Sequence, residues 1–150
     1  MERFHSFKQL CRVTAYVIRA AKKFIDFLRP GGDNLKVDDL TIEEVQNAEH
    51  VWLQVAQENF CKEGKLQQLT TSLRLYKDEV SLLRSKTRIC DNDQIEDRVK
   101  FPVLLPNNHH VTDIIIMDTH EEVLHSGVNS TLHRVRLNYW IWKGDKLSQK

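Results

Sequence analysis

His120 and His125 are the residues of this 150-residue chain whose type and spacing come closest to a chemical site. A neutral imidazole is a good zinc ligand at physiological pH. The two stand in His120-Glu121-Glu122-Val123-Leu124-His125-Ser126-Gly127, one residue too long for the His-Glu-x-x-His of a zinc hydrolase, which needs both imidazoles on one helix face. On a continuous helix, five steps of about 100° leave them roughly 140° apart. A hydrolase also needs a third ligand and a water-activating carboxylate. Glu121 and Glu122 diverge by about 100° and cannot act as a paired clamp. Sharing a metal remains open if His120 occupies the last helical turn and His125 lies beyond it, and Ser126-Gly127 is a break that permits this. A structural zinc site closes with four ligands, normally adding thiolates, and residues 126–150 contain no cysteine. The other reading makes both histidines surface or half-buried groups at a helix end.

Cys11, Cys61 and Cys90 are odd in number and far apart. That pattern fits neither a disulfide framework nor a Cys-x-x-Cys knuckle and points to a reducing, intracellular setting, nucleus or cytoplasm. Charges interrupt every apolar stretch, so no run of about 18 apolar residues is present to span a membrane. Glu2, Arg3, Lys8 and Arg12 break the one N-terminal candidate for a leader. Nothing points to a small-molecule substrate. The net charge of +1 hides segregation: residues 1–29 carry a net +5 and residues 30–62 a net −5. In the last segment Arg134, Arg136, Lys143, Lys146 and Lys150 are basic. They suit phosphate contact with nucleic acid, and equally a solvated helix face.

The elements that must position the histidines follow from periodicity. Phe4, Phe7, Cys11, Thr14, Ile18, Ala21, Ile25 and Leu28 make one helical stripe, ended by Pro30-Gly31-Gly32. Thr41 and Glu44 form a capping box for a second, acidic helix through Ile42, Val45, Ala48, Trp52, Val55, Ala56 and Phe60, with Gly64 as its stop. The two read as an antiparallel helical hairpin whose faces pack on each other. Leu73, Leu75, Val80 and Leu82 alternate around Lys77-Asp78-Glu79 and predict a β-hairpin. Asp91-Asn92-Asp93 reads as a loop. Pro102 and Pro106 bracket Phe101–Pro106 and predict a short edge strand or extended segment. Asn107 or Asn108 caps a third helix that Gly127 ends, and a short fourth helix from Asn129 or Ser130 carries Leu132, Val135 and Tyr139 inward. The expected class is mainly α with a small β-hairpin (α+β): helical hairpin, β-hairpin and edge strand, then a small helical C-terminal part.

Taken together, His120-x4-His125-Ser126-Gly127-Val128-x2-Thr131-Leu132-x2-Val135-Arg136-x2-Tyr139-Trp140-Ile141 resembles the integrase zinc-binding domain of retrotransposon polyproteins of the BEL/Pao type. Upstream, Arg3-Phe4-x-Ser6-Phe7-x2-Leu10-x-Arg12-Val13-Thr14-Ala15-Tyr16-Val17 resembles the segment that follows ribonuclease H in those polyproteins. Leu40-Thr41-x-Glu43-Glu44-x3-Ala48-Glu49, Val80-x-Leu82-Leu83-Arg84 and Pro102-x-Leu104-Leu105-Pro106 resemble the stretch that connects the two. The likeness is collinear over nearly the whole chain. It departs at Ser85-Lys86-Thr87, where the family commonly has Gly-Gly after the Leu-Leu-Arg strand.

The resemblance implies a linker over residues 1–64 and a zinc-binding-like domain over 65–150. His120 and His125 would be the histidine half of a His-His-Cys-Cys site, with the Cys-x-x-Cys a few residues after Lys150. It also implies no catalysis by these residues, since strand transfer needs three acidic residues holding two metal ions on a core beyond residue 150. Zinc would pin a small helical bundle that multimerises, through self-association or with other polyprotein regions, and contacts DNA. The alternative expectation is a transposon-derived helical module that binds a protein partner through residues 4–62 and uses no metal.

Overall fold

The computed structural model describes residues 6–28, 39–62, 70 and 73–142, the side chains of 59–62 excepted. The fold is mixed α+β. In chain order the elements are α1 (Phe7–Phe27), α2 (Ile42–Lys62), β1 (Leu75–Lys77), β2 (Leu83–Ser85), α3 (Asp97–Lys100), β3 (Val103–Leu105), α4 (His110–Glu122), α5 (Val128–Arg136) and β4 (Tyr139–Ile141). Pro30-Gly31-Gly32 and Gly64, read as helix stops, lie outside the described residues.

α1 and α2 pack against each other, as the complementary charges imply. The capping box is formed: Glu44 N–H donates to Thr41 Oγ1 at 3.3 Å, and Thr41 N–H donates to Glu44 Oε2 at 2.9 Å. Arg19 forks the same carboxylate, with Nε 2.8 Å from Oε1 and its second nitrogen on Oε2. Deeper in the interface Trp52 Nε1 donates to Thr14 Oγ1 at 2.8 Å, and that hydroxyl donates to Leu10 O. The expected α1 stripe is buried only in its first half. Phe7, Leu10, Cys11 and Ala15 lie in the core, whereas Ala21, Ile25 and Leu28 are exposed.

The β-hairpin is present, with β1 and β2 antiparallel. Asp78 organises its turn: Oδ1 accepts from Val80 and Leu82 N–H, and Oδ2 accepts from Arg84 Nε at 2.5 Å. The bracketed strand is also present, but its expected edge position is wrong. β3 sits inside the sheet, in the order β1-β2-β3-β4, antiparallel to β2 and parallel to β4. Pro102 and Pro106 flank the strand instead of lying in it, so Val103 N–H still donates to Asn138 O at 3.0 Å and Leu105 O accepts from Trp142 N–H at 2.9 Å. Pro102, Val103, Leu104, Leu105 and Pro106 are all buried, the unbroken apolar run of a strand covered on both faces.

The sheet divides the core. Val103, Leu105, Tyr139 and Ile141 face a cluster with Phe7, Cys11 and Ala15 of α1, Leu53 and Ala56 of α2, and Val111, Ile114 and Ile115 of α4. Leu83 and Leu104 face the other way, against Leu73, Leu75, Trp140 and Trp142. Gln57 threads between helix and sheet. Its buried Nε2 donates to Leu83 O and Leu104 O, and its Oε1 accepts from Leu83 N–H, at 2.8–2.9 Å. One α2 side chain therefore fastens two strands whose register has the single pair Arg84 and Val103, continued by Ser85 N–H to Pro102 O and Thr87 N–H to Lys100 O.

Two helix ends differ from expectation. α4 is capped by His109, not Asn107 or Asn108: its Nδ1 accepts from Val111 N–H at 3.3 Å. Burial, then the neighbouring His110, hold the His109 imidazole below the ordinary histidine range, which keeps that nitrogen an acceptor. Tyr139 does not extend α5 but begins β4, its hydroxyl donating to Glu49 Oε1 at 3.1 Å. Burial, then the Glu49 carboxylate, push that phenol up, so it stays a donor.

Candidate metal-ligand pair

α4 stops two residues short of Leu124, where the apolar pattern placed its last turn before the Gly127 stop. It ends at Glu122 with Val123 as the cap, and Leu124 and His125 then take left-handed backbone at φ 52° and 57°. Leu124 N–H donates to Glu121 O at 3.0 Å and His125 N–H donates to His120 O at 3.2 Å. These are the two bonds of a Schellman motif, the first spanning C′ to C2 and the second C″ to C3. Its outer bond joins the two histidine residues themselves. Five-residue spacing is the distance from C3 to C″, so a motif that would splay the rings along a helix brings them together at its end.

The rings meet edge to face, centroids 4.8 Å apart and planes at 69°. Two imidazoles on one tetrahedral zinc, with Zn–N of about 2.0–2.1 Å, have centroids roughly 5 Å apart. The spacing is that of a ligand pair and equally that of an ordinary edge-to-face ring contact. His120 is half-buried and His125 exposed. His120 Nδ1 lies 3.0 Å from Thr131 Oγ1 on α5, leaving Nε2 as the nitrogen available to a ligand, while Thr131 Oγ1 also lies 3.1 Å from Gly127 O.

Gly127 belongs to the next element. It precedes α5 with φ 96° and ψ 170°, a region essentially restricted to glycine, and its carbonyl accepts from Thr131 N–H at 3.2 Å. Ser126 caps the turn from the other side, its N–H and its hydroxyl both donating to Val123 O. Among the described residues no third histidine, cysteine, aspartate or glutamate joins the pair closely enough to complete a metal site. Cys11 is buried in the main core, where burial, then the Glu49 charge, push its thiol up to about 12. Cys90 is half-buried with Sγ 3.4 Å from Asp91 Oδ1.

Among the described residues, the basic pair of the last segment does not gather. Arg134 and Arg136 both lie on α5, but two helical steps separate them by about 200° and put them on opposite sides. Arg134 Nε stands 3.9 Å from Glu122 Oε2, and Glu122 also accepts from Lys8 Nζ at 2.7 Å. Arg136 is exposed. Lys143 and Lys146 lie outside the described residues. Sequence reasoning missed Thr131 as the partner of His120 and Leu124 as the left-handed residue of the turn; a threonine eleven residues after His120 carries no local signal of that contact.

A separate cleft of about 550 Å³ opens between α1, α4 and β4, lined by Arg12, Glu49, Arg98, Asp118 and Tyr139 among others. Neither histidine borders it. Among the described residues no helix is long and apolar enough to cross a membrane. The chain matches no family model, no curated protein and no solved structure.

Proposed function

We propose that this chain is a non-catalytic fragment of a BEL/Pao-like polyprotein, joining the linker that follows ribonuclease H to the histidine half of an integrase zinc-binding domain. In the full-length protein it supports DNA integration through zinc-stabilised multimerisation and DNA contact, in the cytoplasm or nucleus. One observation supports this reading: the Schellman turn brings the rings of His120 and His125 together, centroids 4.8 Å apart, close enough to be offered to one ion. A zinc bound there supplies no chemistry of its own; as a closed structural ion it pins the end of α4. The remaining two ligands are, on the family likeness, the cysteines expected after Lys150.

Zinc titration of the purified chain, followed by competition with a chromophoric chelator, tests the reading. The expected result is weak uptake, since two ligands leave the tetrahedron half filled, abolished in His120→Ala. Uptake unchanged by that substitution, or none at all, sinks the metal role. DNA contact is tested by duplex binding at rising salt, with affinity expected to fall and Arg136→Ala to flatten the slope.

A second reading, a helical module that binds a protein partner without metal, is favoured by the exposed apolar side chains of α1. Val13, Tyr16, Val17, Phe24, Ile25 and Phe27 all reach the surface, more than a helix paired along its length would leave. If zinc is not taken up while Val17→Asp and Phe24→Asp raise solubility with no loss of stability, this second reading replaces the first.

A further inference from the structure

We infer that Thr131 is the positioning residue of the histidine pair: its hydroxyl holds His120 as the Nδ1–H tautomer and so makes Nε2 the metal-binding atom. The tautomer follows from hydrogen bonding alone; its consequence for metal rests on the function proposed above.

A threonine hydroxyl has one hydrogen to donate and two lone pairs to offer. Thr131 Oγ1 stands 3.1 Å from Gly127 O, the helical back-bond a threonine hydroxyl commonly makes to the carbonyl four residues earlier, and its one hydrogen is assigned there and not to Nδ1. The 3.0 Å contact between the same oxygen and His120 Nδ1 must then be donated by the ring. A neutral imidazole with its proton on Nδ1 carries its free lone pair on Nε2. Free histidine in water prefers the opposite tautomer, so the hydroxyl reverses an intrinsic preference.

The oxygen is held firmly enough to impose this. Thr131 is only 5% exposed, and Gly127 O accepts from both its backbone N–H and its hydroxyl, fixing the oxygen within the first turn of α5. His120 belongs to α4, so the bond also ties the two helices together. Metal affinity thus depends on a residue that is not a ligand, and partners of this kind are worth about 10–100-fold in affinity.

The test uses the full chain, labelled with ¹⁵N and free of metal, above neutral pH. Long-range proton–nitrogen correlation of the imidazoles reports which ring nitrogen carries the hydrogen. His120 is expected as Nδ1–H in the parent chain and in Thr131→Ser, and to shift towards Nε2–H in Thr131→Val, which keeps the shape and loses the hydroxyl. Zinc competition should then show Thr131→Val weakened by about 10–100-fold and Thr131→Ser close to the parent. An Nε2–H ring in the parent chain overturns the inference whatever zinc does, and needs no variant to fold. A tautomer or a zinc affinity that Thr131→Val leaves unmoved overturns it as well. If the parent shows Nδ1–H but takes up no zinc, the metal reading falls and the tautomer assignment stands.

Discussion

Leu124 and Gly127 sit three residues apart, both at positive φ, and each occupies backbone that suits a glycine. Leu124 has φ 52° with its side chain 85% exposed, so it bears the left-handed penalty and recovers little by burial. Leu124→Gly is therefore expected to stabilise the chain by about 0.5–1 kcal/mol, the strain relieved less the entropy glycine adds to the unfolded state. Gly127→Ala should do the opposite. A Cβ there meets nothing within 4 Å, so the cost of about 1–3 kcal/mol comes from the backbone alone. Urea midpoints moving in opposite directions at unchanged slope would support both; a destabilising Leu124→Gly would show that the side chain has a contact worth more than the strain. Gln57 is the polar counterpart. Gln57→Leu leaves Leu83 N–H without its partner and strips one from Leu83 O and Leu104 O, and should lower stability by about 2–3 kcal/mol. A change below about 0.5 kcal/mol would mean that water replaces the amide.

At the scale of elements, the signals that survived were those a few residues long. The capping box at Thr41 and Glu44 and the hairpin turn at Asp78 each contain their own cause, and each formed, although Val80 and Leu82 fall before β2 and Ile42 and Val55 of the α2 stripe are exposed. The prolines around β3 were legible as a strand boundary but not as a position in the sheet, because the neighbour that makes β3 central is β4, some 35 residues later. The end of α4 was misplaced for a related reason: a Schellman turn usually announces itself with glycine at C′, and here Leu124 stands there while the glycine three residues on serves α5. The pairing of α1 with α2 makes a pH prediction. Arg19, then the Thr41 N–H, hold the Glu44 carboxyl down from 4.5 to about 2. A carboxyl lowered on folding stabilises fully above its unfolded value and loses that contribution as pH falls through its folded one. The gap in urea midpoint between the parent chain and Glu44→Gln should thus hold steady above about pH 5 and close towards pH 2. A gap that stays constant over this range would mean the fork adds no pH-linked stability.

Across the whole molecule the question is whether residues 1–64 and 65–150 behave as one unit. Phe7, Leu10 and Ala15 from the first segment share a buried cluster with Leu82, Val103, Leu105 and Ile115 from the second, and the Gln57 and Tyr139–Glu49 bonds cross the same boundary. Among the described residues the sheet's far face is a smaller store of apolar area, with Leu83 and Leu104 buried there. Since β3 contributes side chains to both faces, losing either cluster disorders the strand that supports the other. Unfolding is therefore expected as a single cooperative transition. The tryptophans allow this to be read from both sides, because Trp52 packs on the main cluster and Trp140 and Trp142 on the other. In Trp140→Phe/Trp142→Phe the remaining fluorescence reports α2, and in Trp52→Phe it reports β4 and the residue after it. Each variant's fluorescence midpoint in urea should coincide with its own far-ultraviolet dichroism midpoint. If Trp52 is released at lower urea than the helices melt, or β4 persists after it, the helical hairpin is a domain in its own right. The histidine turn, which hangs from the end of α4 and packs on α5, would then belong to the C-terminal unit alone.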